Sequence, residues 1–205
     1  MARLNIAPTK SNFLSMKHQL AFAEEGYDLL EQKRQILIFE MMSRLARAQE
    51  VDRKIVKSLY RAYSALHEAT LDIGSAALDR AVLGVKLDAE LKLTGLHLMG
   101  LTLPRVRFCA GPSGAPFGVG GTSANTDEAR QRFAELLPTL AELAELQNAV
   151  LRLARELRKT QRRCNALSKT FIPSYRETLA YISGTLEERE RESLTILKMI
   201  RNRLA

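Results

Sequence analysis

Thr160–Pro173, TQRRCNALSKTFIP, and Thr185–Ile200, TLEERERESLTILKMI, are the two stretches whose reading decides the fold. From Leu136 to Met199 a spacing of alternating fours and threes runs through both without a slip. One series is Leu140, Gln147, Ala154, Gln161, Ser168, Tyr175, Ile182, Arg189 and Ile196. The other is Leu136, Leu143, Val150, Leu157, Cys164, Phe171, Thr178, Thr185, Glu192 and Met199. Counting Ala, Cys and Tyr as apolar, 12 of these 19 positions suit a buried seam. Spacing of this kind over many turns makes a helix that supercoils with a partner rather than one capping a globular core. The polar positions Gln147, Gln161, Ser168, Arg189 and Glu192 lower stability and help to fix register. Pro138 and Pro173 each remove a backbone N–H and bend the helix locally. The seam passes through Pro173 in register, so the spacing predicts a kink there and not an end.

The N-terminal third carries the same spacing. Phe13, Leu20, Tyr27, Arg34, Met41, Ala48, Ile55 and Ala62 form one series; Met16, Ala23, Leu30, Leu37, Arg44, Val51, Ser58 and Ala65 form the other. Thr9 or Ser11, after Pro8, is placed to cap the helix start. Gly26 costs about 1 kcal/mol relative to Ala in a helix interior. The pattern continues on both sides of it, which points to a packing reason. Between the two seams the pattern dissolves. Leu71–Leu83 reads as a short helix ending near Gly84, Leu91–Phe108 as one or two short strands, and the Gly/Pro/Ser-rich Ala110–Ser123 as an exposed turn or tip. Thr126 or Asp127 starts the last helix, with acidic residues against its N-terminal dipole. The fold expected is all-α: a long antiparallel two-helix coiled coil with a small β-hairpin and short helix inserted between the helices. Residues 1–70 form the first long helix, 71–126 the insertion and 127–205 the second long helix, together one elongated unit. At 1.5 Å per residue the helices would run about 90 Å and about 110 Å.

Composition agrees. Of 205 residues 46% are hydrophobic but only 6% aromatic, with no Trp, a usage typical of long helices rather than of an α/β enzyme. The longest apolar run, around Ile36–Phe39, is too short to span a bilayer, and MARLNIAPTKSNF has no apolar signal core; a cytoplasmic location is expected. Cys109 and Cys164 make no metal or disulfide framework. The glycines of 111–121 are followed by no Gly-Lys-Ser/Thr and do not match the dinucleotide fingerprint, so no phosphate loop is read there. His18, His67 and His97 are too scattered to bind a metal, and no nucleophile–base grouping suggests catalysis. No catalytic residue, cofactor or metal is expected.

The net charge of +8 attracts acidic partners. Arg152, Arg155, Arg158, Lys159, Arg162, Arg163 and Lys169 stand against Glu156 alone, and Arg44, Arg47, Arg53, Lys54, Lys57 and Arg61 against Glu50 and Asp52. In an antiparallel pair, residues near 45 would lie roughly opposite those near 155, merging the runs into a basic collar. A single charge run is ordinarily a solvated helix face. Two at one level favour an acidic partner gripping the pair, with Arg44, Arg47, Arg152, Arg155, Arg158, Arg162 and Arg163 as the candidate interface.

PTKSNFLSMKHQL (8–20), GYDLLEQKR (26–34), KTQRRCNALSKTFIP (159–173) and TLEERERESLTILKMI (185–200) resemble, in order and spacing, the D subunits of the V-type/A-type rotary ATPases. Cys164 stands where that family usually has Val, and 71–126 matches poorly. The resemblance implies a non-catalytic rotor shaft on the cytoplasmic side of the membrane. It implies as partners the catalytic and regulatory subunits of the ATPase ring, a small rotor protein (the F subunit) that clasps the shaft, and a funnel-shaped subunit leading to the membrane ring. Two other classes share the composition. A coiled-coil nucleic-acid binder would use the same charge, but no recognised binding module or stacking aromatics accompany it. A flagellar-export stalk protein is also a basic two-helix rod, but would not carry both RRCNAL and LEERERE.

Overall fold

The computed structural model describes residues 4–83, 89–111 and 122–204. In chain order the elements are α1 (Lys10–Ile73), α2 (Ser75–Leu83), β1 (Ala89–Leu98), β2 (Leu101–Ala110), α3 (Ala124–Ala166), a π-helical turn (Leu167–Phe171) and α4 (Ile172–Leu204). The long helices are α1 on one side of the chain and α3–α4 on the other, with a two-stranded hairpin and a short helix between them. Two compact units divide the chain: one from residues up to Leu37 with those from Glu156 onward, the other Ile38–Arg155.

The seam of α1 falls where its heptads put it. Met16, Ala23, Leu37, Ala48, Val51, Ile55, Ala62 and Ala65 are all buried. Of the sixteen seam positions only Ser58 is exposed. A seven-residue repeat drifts by about 20° per heptad on a straight helix, so heptads of this kind favour a left-handed course. Thr9 caps the start, its Oγ1 accepting the Asn12 N–H at 3.2 Å. Gly26 lies within the helix, yet a Cβ there would meet nothing within 4 Å, so the expected packing reason is absent.

In the Ile38–Arg155 unit, Ala48, Val51 and Ile55 of α1 pack with Leu146 of α3, and Leu143 lies against the cluster. Tyr63 meets Phe133 edge-on with centroids 5.5 Å apart. Gly74, at φ +78, ends α1 and lets α2 begin one residue later. The hairpin is longer than the partial alternation suggested, and its turn is Met99–Gly100, both at positive φ as a two-residue type I′ turn requires. The glycine-rich stretch read as the tip follows β2 instead, and its residues 112–121, like Gly84, lie outside the described residues. The hairpin leans on α3: the Val106 N–H donates to Glu145 Oε2 at 2.6 Å, and Arg152 Nη1 to the Thr102 carbonyl at 2.6 Å. Leu103 is fully buried. α3 starts at Ala124, earlier than expected, with Ser123 and Thr126 hydrogen-bonded across its first turn.

In the other unit the chain before α1 runs along α4. The Leu4 N–H donates to Thr178 Oγ1 at 3.2 Å, Arg189 Nη1 to the Pro8 carbonyl at 3.0 Å, and Lys10 pairs with Glu190 at 2.9 Å. That pairing holds the Lys10 ammonium above its ordinary pKa and the Glu190 carboxyl below its own. Pro173 bends no simple α-helix. The turn just before it widens to π geometry, with the Ile172 N–H bonded to the Leu167 carbonyl. A proline ring crowds the carbonyl four residues back, and a wide turn relieves that clash. The wide turn also swaps neighbours in the seam: Phe171 is 47% exposed, whereas Ile172 is buried at 8%. Beyond Glu190 the seam positions Ile196 and Met199 are exposed, because α1 begins level with Glu190 and the described residues supply no partner further on.

Candidate partner interface

The basic residues singled out from the sequence divide by what holds them. Arg44 lies along its own helix, with Nη2 2.7 Å and Nε 2.8 Å from Glu40 Oε1, and is half-buried. Arg47 crosses to α3 and grips Glu142 with both Nη2 (2.6 Å) and Nε (3.0 Å). Arg152 is exposed but committed to the hairpin through the Thr102 carbonyl. Arg155, Arg158, Arg162 and Arg163 are exposed, and none is in an ion pair among the described residues. These four are the cations of the set most open to a partner.

The level matching of the two runs differs from the sequence expectation. Within the Ile38–Arg155 unit, Arg47 meets Glu142 and the Arg61 carbonyl receives Arg132 Nη1 at 3.0 Å, so the 44–61 run faces 132–142. It does not face the segment near 155. Within the other unit Glu156 meets Lys33 at 3.4 Å. The offset arises at the Asp72–Asn125 contact (2.7 Å), which sets the pairing from the far end and depends on how much chain the insertion consumes. Heptads alone carry no such information.

One polar layer sits in the seam. Arg34 Nη1 donates to Gln161 Oε1 at 2.8 Å and Nη2 bonds Glu31, while Gln161 Nε2 donates to Asn165 at 2.9 Å. The Arg34 Nε is buried with no hydrogen-bond partner among the described residues. Such a layer costs stability, but it penalises any slip of one helix along the other, because a slipped Arg34 would lose Gln161, whereas Glu31 lies on its own helix and would move with it. Cys164 is buried beside it.

The chemistry of the remaining surface is sparse. Two shallow grooves, of about 310 and 320 Å³, are lined by Lys10, Phe13 and Glu190 and by Ser58, Arg132 and Glu135 among others. In the first, the Ser183 hydroxyl donates to Glu187 Oε1 at 3.3 Å, one helical turn away on the exposed face of α4. Among the described residues no three metal-ligating side chains gather. His18, His67 and His97 are all exposed, with His97 Nδ1 3.1 Å from Thr102 Oγ1. No described helix is long and apolar enough to cross a membrane.

The sequence profile of the ATP synthase D-subunit family matches residues 12–202, from the first turn of α1 almost to the end of α4. The chain belongs to the ATP synthase D-subunit family. Members of the family match it at nearly full length. It is 40% identical over 198 residues to V-type ATP synthase D-subunit 2 of Treponema pallidum, covering 97% of this chain and 95% of that one. To the A-type ATP synthase D-subunit of Methanosphaera stadtmanae it is 37% identical over 202 residues, covering 97% and 94%. To the V-type ATP synthase D-subunit of Thermotoga neapolitana the figures are 34% over 202 residues, 98% and 100%. Family membership makes this chain a component of an ATPase complex.

Proposed function

We propose that the chain is the central rotor shaft of a V/A-type rotary ATPase or ATP synthase. It couples nucleotide turnover in a catalytic ring to ion translocation through a membrane ring by rotating, and it performs no catalysis itself. The observation that carries this reading is the family match running through α1, α3 and α4 together, the long helices of the chain. Buried seams in each unit and the Arg34–Gln161 layer support it, since a shaft must resist one helix sliding on the other. Its partners in this reading are the catalytic and regulatory ring subunits, the small F-subunit rotor protein and the funnel-shaped subunit, all on the cytoplasmic side. Arg155, Arg158, Arg162 and Arg163 face an acidic sleeve in the ring, where charge gives contact without sticking. Arg44, Arg47 and Arg152, held by Glu40, Glu142 and the Thr102 carbonyl, are proposed to contribute to partner contact within their own unit.

The test is rotation. The ring subunits are reconstituted with this chain carrying a bead through Cys109 and the surface anchoring the ring. ATP should drive unidirectional stepping of the bead. A complex that hydrolyses ATP at full rate while the bead stays fixed relative to the ring would refute the shaft role.

A further inference from the structure

Among the described residues the hairpin has one edge in use and one without a partner. Thr102 and Val106 turn their backbone groups outward from the ribbon to Arg152 and Glu145, so the outer edge of β2 is taken by α3. In an antiparallel ribbon, backbone groups alternate between the partner strand and the outer edge. The even residues of β2 therefore face α3 and the odd ones face β1, consistent with the Arg105 carbonyl, which takes the Thr94 hydroxyl at 3.4 Å. Through the register Leu93↔Val106 and Gly95↔Pro104, the odd residues of β1 present their N–H and C=O groups outward. These are Leu91, Leu93, Gly95 and His97. Among the described residues the sheet has two strands, and β1 side chains are exposed from Ala89 through His97.

The side chains next to that edge are sorted by face. Leu91 (62% exposed) and Leu93 (72%) share one face with half-buried Val106 and Phe108. The opposite face at the same level carries Lys92, Arg105 and Arg107, all exposed, against the single acid Glu90, 3.9 Å from Lys92. An exposed ten-residue edge with apolar side chains is the kind that soluble proteins usually block with charge or proline. Here Pro104 occupies the strand whose edge is already covered, and β1 has none.

We propose that the outer edge of β1 takes an added strand: an extended segment of another protein, apolar at alternate residues and acidic at the others. Its backbone completes the outward groups of Leu91, Leu93 and Gly95, its apolar residues lie beside Leu91 and Leu93, and its acids lie beside Lys92. A second copy of this chain fits poorly. Two β1 strands paired about a two-fold axis would bring both Lys92–Arg105–Arg107 faces to one side. The edge is independent of whether the chain rotates.

The probe is a capped ten-residue peptide of alternating valine and glutamate, added to the full-length protein and followed by amide hydrogen exchange. Exchange at Leu91, Leu93 and Gly95 should slow at least tenfold at saturation, with Lys92 and Thr94 unchanged. A valine–lysine peptide should bind at least tenfold more weakly. Leu93→Pro removes one outward N–H where an edge strand tolerates proline, and should weaken binding at least tenfold. Should that variant lose Val106 protection, Leu91→Lys/Leu93→Lys takes its place with the same expectation. No slowing at millimolar peptide, equal binding by the substituted proteins, or a dimer joined through β1 in sedimentation would each overturn the proposal.

Discussion

Gly26 has space for a methyl group and sits where the helix continues on both sides. Gly26→Ala should therefore stabilise the protein by about 0.5–1 kcal/mol, read as a higher urea midpoint with unchanged slope. A loss of stability would mean that the open space is needed by the fold. The two thiols give a second test at this scale. Cys109 is exposed and Cys164 buried. Burial, and after it the Glu31 carboxylate, push the Cys164 thiol above its ordinary pKa despite Arg34 nearby. Ellman's reagent at pH 8 should titrate one thiol per native chain promptly and the second only on unfolding. Because the folded value lies above the unfolded one, the stability linked to Cys164 is complete below the ordinary thiol range. It is lost as pH rises through the raised folded value. A pH titration of the urea midpoint should fall there, and Cys164→Val should remove that part of the fall.

The hairpin is the element whose attachment is most easily loosened, since a side-chain carboxylate holds its backbone. Glu145→Ala removes a charge-assisted hydrogen bond worth about 1.5–3 kcal/mol. The Val106 amide should then exchange at least tenfold faster while the helical circular dichroism is unchanged. Unaltered exchange would place the hairpin's hold in Leu103 and its neighbours instead. The helices are legible in the sequence and the hairpin much less so, and the reasons are physical. α1 keeps its heptad phase from Met16 to Ala65, although Phe22, Leu29, Ile36 and Phe39 on other sides of the helix are apolar too and stay exposed. α3 offers two adjacent stripes: the heptads put Leu140 and Gln147 in the seam, yet Leu140 is 39% exposed and Leu146, Ala149 and Leu153 are buried. Docking of β2 at Glu145 and Arg152 occupies another side of the helix, and that long-range contact leaves no periodic trace. Phe171 and Ile172 are adjacent and equally apolar, so only the π turn decides between them. For the basic residues, composition picks out the exposed group at 155–163, while their pairing level depends on the length of the insertion.

For the chain as a whole, the excess of +8 sets the expected mode of assembly. Exposed ion pairs contribute roughly 0–1 kcal/mol each, so single Arg→Ala changes at Arg155, Arg158, Arg162 or Arg163 should be nearly silent. The triple variant Arg155→Glu, Arg158→Glu, Arg162→Glu should stay helical but load poorly into the ring. Wild-type assembly should weaken as salt rises, because solvated charges are screened over about 10 Å at 0.1 M. Normal assembly of the triple variant at low salt would make these arginines solubilising groups only.

The left-handed course that the heptads favour has a mechanical corollary. A wound pair is chiral, so the two senses of applied twist are not equivalent for it. Torque that overwinds the helices presses Met16, Ala23, Leu37 and their partners inward, against interiors already packed to near-crystalline density. Torque of the other sense draws the helices apart, and side-chain contacts with cross-helix pairs such as Arg34–Gln161, Lys33–Glu156 and Arg176–Glu24 oppose it. Such a spring is harder in one direction than in the other. In the proposed rotor, synthesis and hydrolysis would load it from opposite sides.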